Sequence, residues 1–87
     1  MVIAFDVDGT LFDSNDNSRL EVIHFLGALH KAGHEIWIWS GGGVNYAIHK
    51  CRNIETPVVF SAKFKTDEVD VCFDDQDVNL AKVNIRI

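Results

Sequence analysis

The chain has 87 residues, 47 % of them hydrophobic and 24 % charged, with a formal net charge of −5. That length makes one domain, which buries roughly 60–65 % of its unfolded surface and supports a single modest core. The acidic balance, with no cluster of Lys and Arg, excludes non-specific attraction to nucleic acid or to an anionic membrane surface, since both need concentrated positive charge.

The first element is "VIAFDV", residues 2 to 7, whose apolar run from Val2 to Phe5 suits a strand buried on both faces. It leads into Asp6 and Asp8, with Gly9 at once after them. Ser18-Arg-Leu-Glu21 reads as a capping box, and Leu20, Ile23 and Leu26 follow at helical spacing until Gly33, which predicts a helix from about 18 to 32. "HEIWIWS", residues 34 to 40, is a second strand, stopped by Gly41, Gly42 and Gly43. Trp37 and Trp39 fall on one side of it and are expected to be core against a helix.

Val44, Ile48, Cys51 and Ile54 step along one face of a second helix. "PVVF" at 57 to 60 and "VDVCF" at 69 to 73 are further strands, and "KVNIRI" at 82 to 87 alternates as a strand with one wet face does. Strand, helix, strand, helix, strand predicts parallel pairing with helical crossovers. The later connections span only about eight residues, too few for a helix, so the helices thin out in the C-terminal half. The expected fold is α/β, a three-layer Rossmann-like arrangement on a mainly parallel sheet of about five strands, with residues 1–87 as one domain.

Cys51 and Cys72 sit in unlike contexts and neither belongs to a CxxC, which points to reduced, buried thiols. No basic leader and no eighteen-residue apolar run is present, which leads to the expectation of a cytoplasmic protein without a membrane span. Asp13, Asp16, Asp67 and Asp77 read as solvated loop acids, and the four histidines share no ligand spacing.

The chemistry concentrates at the predicted strand ends. The first ends in Asp6-Val-Asp8-Gly9-Thr10, the second in Ser40-Gly41-Gly42, the fourth in Asp74-Asp75. Carboxyl ends of parallel strands converge on a ligand crevice, so these groups should meet in space. Carboxylates gathered at one point stay ionised only with a cation among them, and hard oxygen donors suit Mg²⁺. The expectation is a metal and phosphate site.

These residues resemble the haloacid dehalogenase superfamily of phosphohydrolases. Its DxDG[TV] motif is matched by Asp6-Val-Asp8-Gly9-Thr10, its strand ending in Ser or Thr by "IWIWS" and Ser40, and its acidic pair by "VCFDD"; a lysine stands upstream of that pair. The resemblance implies an Mg²⁺-dependent phosphatase in which Asp6 forms an aspartyl-phosphate and Asp8 acts as general acid and then general base. Thr10 would hold the turn after the motif. Ser40, the N–H of Gly41 and a lysine would bind the phosphate; Lys65 is the choice, with Lys63 the alternative. Asp6, the carbonyl of Asp8 and the acidic pair would hold the metal, with Asp75 favoured over Asp74 as direct ligand.

The short connections after the first and second motifs leave no room for a cap domain, which implies an open site and admits a large phosphorylated substrate. Phosphotransfer to an acceptor other than water and a catalytically idle interaction domain are the alternative functions.

Overall fold

A run such as Val2–Phe5, without a polar residue, is stable only where both faces of the strand are covered, and its strand lies at the centre of the sheet. The computed structural model describes residues 1–87. Its strands are β1 (Val2–Asp6), β2 (Glu35–Ser40), β3 (Val59–Ala62), β4 (Val71–Asp74) and β5 (Val83–Arg86), with helices α1 (Leu20–Lys31) and α2 (Val44–Lys50). The sheet order is β3-β2-β1-β4-β5 and every pairing is parallel. This is the expected Rossmann-like α/β fold.

Both helices lie on one face. Ile3, Phe5, Ile36 and Ile38 from the strands pack there against Val22 and Leu26 of α1, Ala47 of α2 and Cys51 just after it. α1 starts without the expected capping box: Ser18 bridges to Phe12, Glu21 pairs with Arg19 at 3.3 Å, and no side chain caps the helix. Its end is as expected. Gly33 adopts φ +97°, and the amides of Gly33 and His34 return to the carbonyls of His30 and Leu29, closing the last turn.

α2 turns a different face to the sheet from the one its larger apolar residues mark. Val44 and Ile48 are exposed, whereas Ala47 and Cys51 are buried, because small side chains four residues apart let the short helix approach the strands closely. Ile54 reaches the core from the chain beyond the helix.

The other face carries Ala4, Trp39, Cys72 and Val69, covered by Val78, Leu80 and Ala81 and by Phe64, whose ring meets Trp39 edge-on at 6.3 Å. Trp39 is core as expected, but irregular chain rather than a helix covers it. Residues 63–70 and 75–82 return across this face in too few residues for a helical crossover.

Asn84 organises the second return. Its Oδ1 accepts from the amides of Leu80 and Ala81 at 2.9 and 3.0 Å and from the Cys72 thiol at 3.1 Å, and its Nδ2 donates to the Ala81 carbonyl at 3.0 Å. β5 therefore turns Asn84 inward and leaves Val83, Ile85 and Ile87 partly in solvent. The two cysteines are buried and unpaired with each other. No helix is long and apolar enough to cross a membrane.

Candidate active site

Parallel pairing sets the ends of four strands in a row. Asp6 ends β1 opposite Trp39, Ser40 ends β2 opposite Ala62, and Asp74 ends β4. β3 runs two residues further than its sequence pattern predicts, because its partner β2 continues to Ser40. The next residue, Lys63, is thereby delivered to the same edge, its amide donating to the Ser40 carbonyl at 3.0 Å.

Lys63, not Lys65, joins the acids. Its Nζ donates to Asp6 at 3.0 Å and to Asp74 at 2.8 Å. Lys65 is exposed and makes no ion pair, so the choice of Lys65 is corrected to Lys63. The physical reason is register: Ser40 pairs with Ala62, so the lysine that follows β3 directly sits beside the end of β2 with Asp6 in reach of its Nζ, and two further residues carry Lys65 away.

Asp6 is 6 % exposed and Asp74 fully buried. Burial pushes Asp6 up to about 6; the Lys63 hydrogen bond opposes that rise and the Asp74 charge adds to it. For Lys63, burial works to lower the pKa, but its hydrogen bonds to Asp74 and Asp6 outweigh it and the ammonium form is strengthened.

Asp75 completes the cluster. One carboxylate oxygen from each of Asp6, Asp74 and Asp75 lies within 4.8 Å of the others, a group of oxygen donors that can hold a hard cation. Both oxygens of Asp74 are engaged, one by Lys63 and one by the Gln76 amide at 3.0 Å. Asp75 has looser partners, the Thr10 hydroxyl at 3.5 Å and the Gln76 side chain at 3.2 Å. Gly9 makes room for it, with φ +85° and no side chain to strike the Asp75 carboxylate.

Ser40 is buried, and its Oγ accepts from the Gly42 amide at 3.0 Å, leaving the hydroxyl hydrogen free to donate. The Gly41 amide makes no backbone hydrogen bond, and the residue is exposed. Backbone donors of this kind beside a lysine suit a phosphoryl group.

Asp8 stands apart from the three clustered acids. β1 ends at Asp6, so strand alternation no longer governs Asp8, whose carboxylate goes to α2 instead. The Tyr46 hydroxyl lies 2.8 and 2.7 Å from its two oxygens, and Lys50 Nζ lies at 3.7 Å. The hydrogen bond to Asp8 holds the Tyr46 hydroxyl above the ordinary phenol value. No backbone amide or side chain donates to the Asp8 carbonyl, which is free to bind a ligand. Tyr46 and Lys50 were not among the sequence candidates; their four-residue spacing on one helix was the available signal. Asp16, read as a solvated acid, pairs with Lys50 while staying exposed.

A family model described as haloacid dehalogenase-like hydrolase matches residues 3–62. The chain belongs to the haloacid dehalogenase-like hydrolases. No individual curated protein and no solved structure matches it. The matched segment of this haloacid dehalogenase-like hydrolase contains Asp6, Asp8 and Ser40, and it stops one residue short of Lys63. Lys63 and Asp74 join the site through their contacts with Asp6 and with each other, and Asp75 through its place beside them. The site is an open edge of the sheet: the largest cavity, about 600 Å³, lies between α1 and residues 51–56 and touches this region only through Phe12 and Lys50.

Proposed function

We propose that this haloacid dehalogenase-like hydrolase is an Mg²⁺-dependent phosphatase that hydrolyses phosphomonoesters through an aspartyl-phosphate on Asp6. The observation that carries the reading is Lys63 bridging Asp6 and Asp74 beside Ser40, an arrangement that supports Asp6 as the nucleophile and Lys63 and Ser40 as its phosphate-binding neighbours.

An Asp6 oxygen attacks phosphorus, the bond to the leaving oxygen breaks, and Asp8 gives that oxygen its proton. Asp8, now a carboxylate, takes a proton from water as the water oxygen attacks the phosphoryl group. Inorganic phosphate leaves and Asp6 is restored. Ser40, the Gly41 amide and Lys63 hold the phosphoryl oxygens throughout, and Lys63 also keeps Asp6 available in its ionised form.

The donor chemistry fits Mg²⁺, since the cluster offers only oxygen. Asp6, Asp75 and the unbonded Asp8 carbonyl would hold the ion, and the full engagement of both Asp74 oxygens favours Asp75 over Asp74. When bound, the ion offsets negative charge on the nucleophile and the transferring group.

Neither internal connection, residues 7–19 or 51–58, holds an inserted cap, and Asp8 is exposed, which supports a substrate as large as a protein or a polynucleotide end. The buried, unpaired Cys51 and Cys72 are in keeping with a cytoplasmic setting.

Hydrolysis of a generic aryl phosphate, with and without Mg²⁺, compares wild type with Asp6→Asn. Metal-dependent turnover abolished by the substitution supports the reading. Absence of turnover from wild type across a broad panel of phosphate esters, with Mg²⁺ still bound, sinks it and favours an idle interaction domain.

A further inference from the structure

The Asp8 side chain is 58 % exposed, and a carboxylate that open has no packing to hold its rotamer. α2 supplies the hold. Tyr46 reaches both Asp8 oxygens through its hydroxyl, and Lys50, one turn on, approaches the same carboxylate from the same side of the helix.

Both tethers make contacts of their own. The Lys50 side chain is 18 % exposed, pairs with Asp16 from the loop after the first motif, and lies 5.1 Å from the centre of the Phe12 ring. The Tyr46 ring is seated against Gly42, where a Cβ would come within 3.1 Å of two ring atoms. Gly42 also donates to Ser40, so one glycine couples the seat of Tyr46 to the phosphate-binding serine.

We infer that Tyr46 is a positioning residue for proton transfer by Asp8, its hydroxyl fixing the carboxylate in the orientation from which it serves the leaving oxygen, with Lys50 as the second tether. The inference rests on the phosphatase reading. One Asp8 oxygen carries the proton that passes to the leaving oxygen, and the other keeps the Tyr46 hydrogen bond, so the tether survives while the charge on Asp8 changes. The Tyr46 hydrogen itself is not transferred.

The consequence is specific to the leaving group. An aryl oxygen such as that of p-nitrophenyl phosphate departs as a stable anion and needs no proton, whereas an alkyl oxygen needs one. Because kcat/KM reports the steps up to phosphoryl transfer, it isolates the acid role of Asp8 from its later role towards water.

Tyr46→Phe keeps the ring against Gly42 and removes only the hydroxyl. With metal present, its kcat/KM for a simple alkyl phosphate is expected to fall at least about tenfold while that for p-nitrophenyl phosphate stays within about twofold, since a displaced proton donor hurts only the ester that requires it. A melting midpoint close to that of wild type is expected alongside. Equal losses for both esters, or no loss for either, overturn the positioning role while leaving the chemistry at Asp6 intact. If wild type turns over neither ester nor any other of a broad panel with Mg²⁺ bound, the phosphatase reading fails and this inference fails with it.

Discussion

A β-carbon placed on Gly9 would lie 2.1 Å from Oδ2 of Asp75, inside any permitted contact. The turn at Gly9 and Thr10 and the last acid of the chain's acidic pair are thus fitted to each other, Thr10 lying 65 positions from Asp75 in sequence. Gly9→Ala must push Asp75 aside and also adopt φ +85°, a strain of about 1–2 kcal/mol. We expect a lower melting midpoint and, because Asp75 is displaced from the acidic cluster, Mg²⁺ affinity weaker by about 10-fold or more. Titration calorimetry of the variant checks this; unchanged affinity would remove Asp75 from the metal site.

Lys63 and Lys65 separate cleanly by mutation. Lys63→Met leaves Asp6 and Asp74 buried beside each other without their cation, a loss on the order of 3 kcal/mol near neutral pH. Lys65→Met touches no partner and should change stability by less than about 0.5 kcal/mol. Chemical denaturation of the two variants is the measurement, and similar midpoints for both would contradict the bridging role.

Asp6 makes the metal-free protein sensitive to pH in a stated direction. Its folded-state value, raised by burial to about 6 from an ordinary 3.8, means that the folded chain holds the proton more tightly than the unfolded one. The stabilising contribution of Asp6 is therefore complete below 3.8 and is lost as pH rises through about 6. Thermal unfolding in the presence of a chelator should show this decline in wild type and a flatter profile in Asp6→Asn across the same window.

Asn84 replaces a crossover helix with one side chain. Asn84→Ala leaves the Leu80 and Ala81 amides and the Cys72 thiol without their acceptor, which we expect to lower stability by about 2 kcal/mol. Hydrogen exchange at Leu80 and Ala81 should accelerate more than at the centre of β1. Uniform acceleration would mean that the residues 75–82 are held by something else.

The sequence by itself determined the parallel α/β plan and which strand ends gather the polar residues. Val2 to Phe5 and Ile36 to Trp39 are buried strands because no polar residue interrupts them, and Gly33 and Gly41 stop their elements through local backbone preference. That Asp6, Ser40 and Asp74 meet at one edge of the sheet was legible since parallel strands that begin on one side end on one side.

Tertiary structure decided what depends on register and on which surfaces meet. β3 stops at Ala62 because β2 continues to Ser40, and only that pairing selects Lys63 over Lys65. The face of α2 that is buried follows from how closely Ala47 lets it approach the sheet, and this in turn aims Tyr46 and Lys50 at Asp8. Hydrophobic pattern and glycine punctuation act within a few residues of chain, whereas an ion pair between residues 57 positions apart exists only once the strands have chosen their partners.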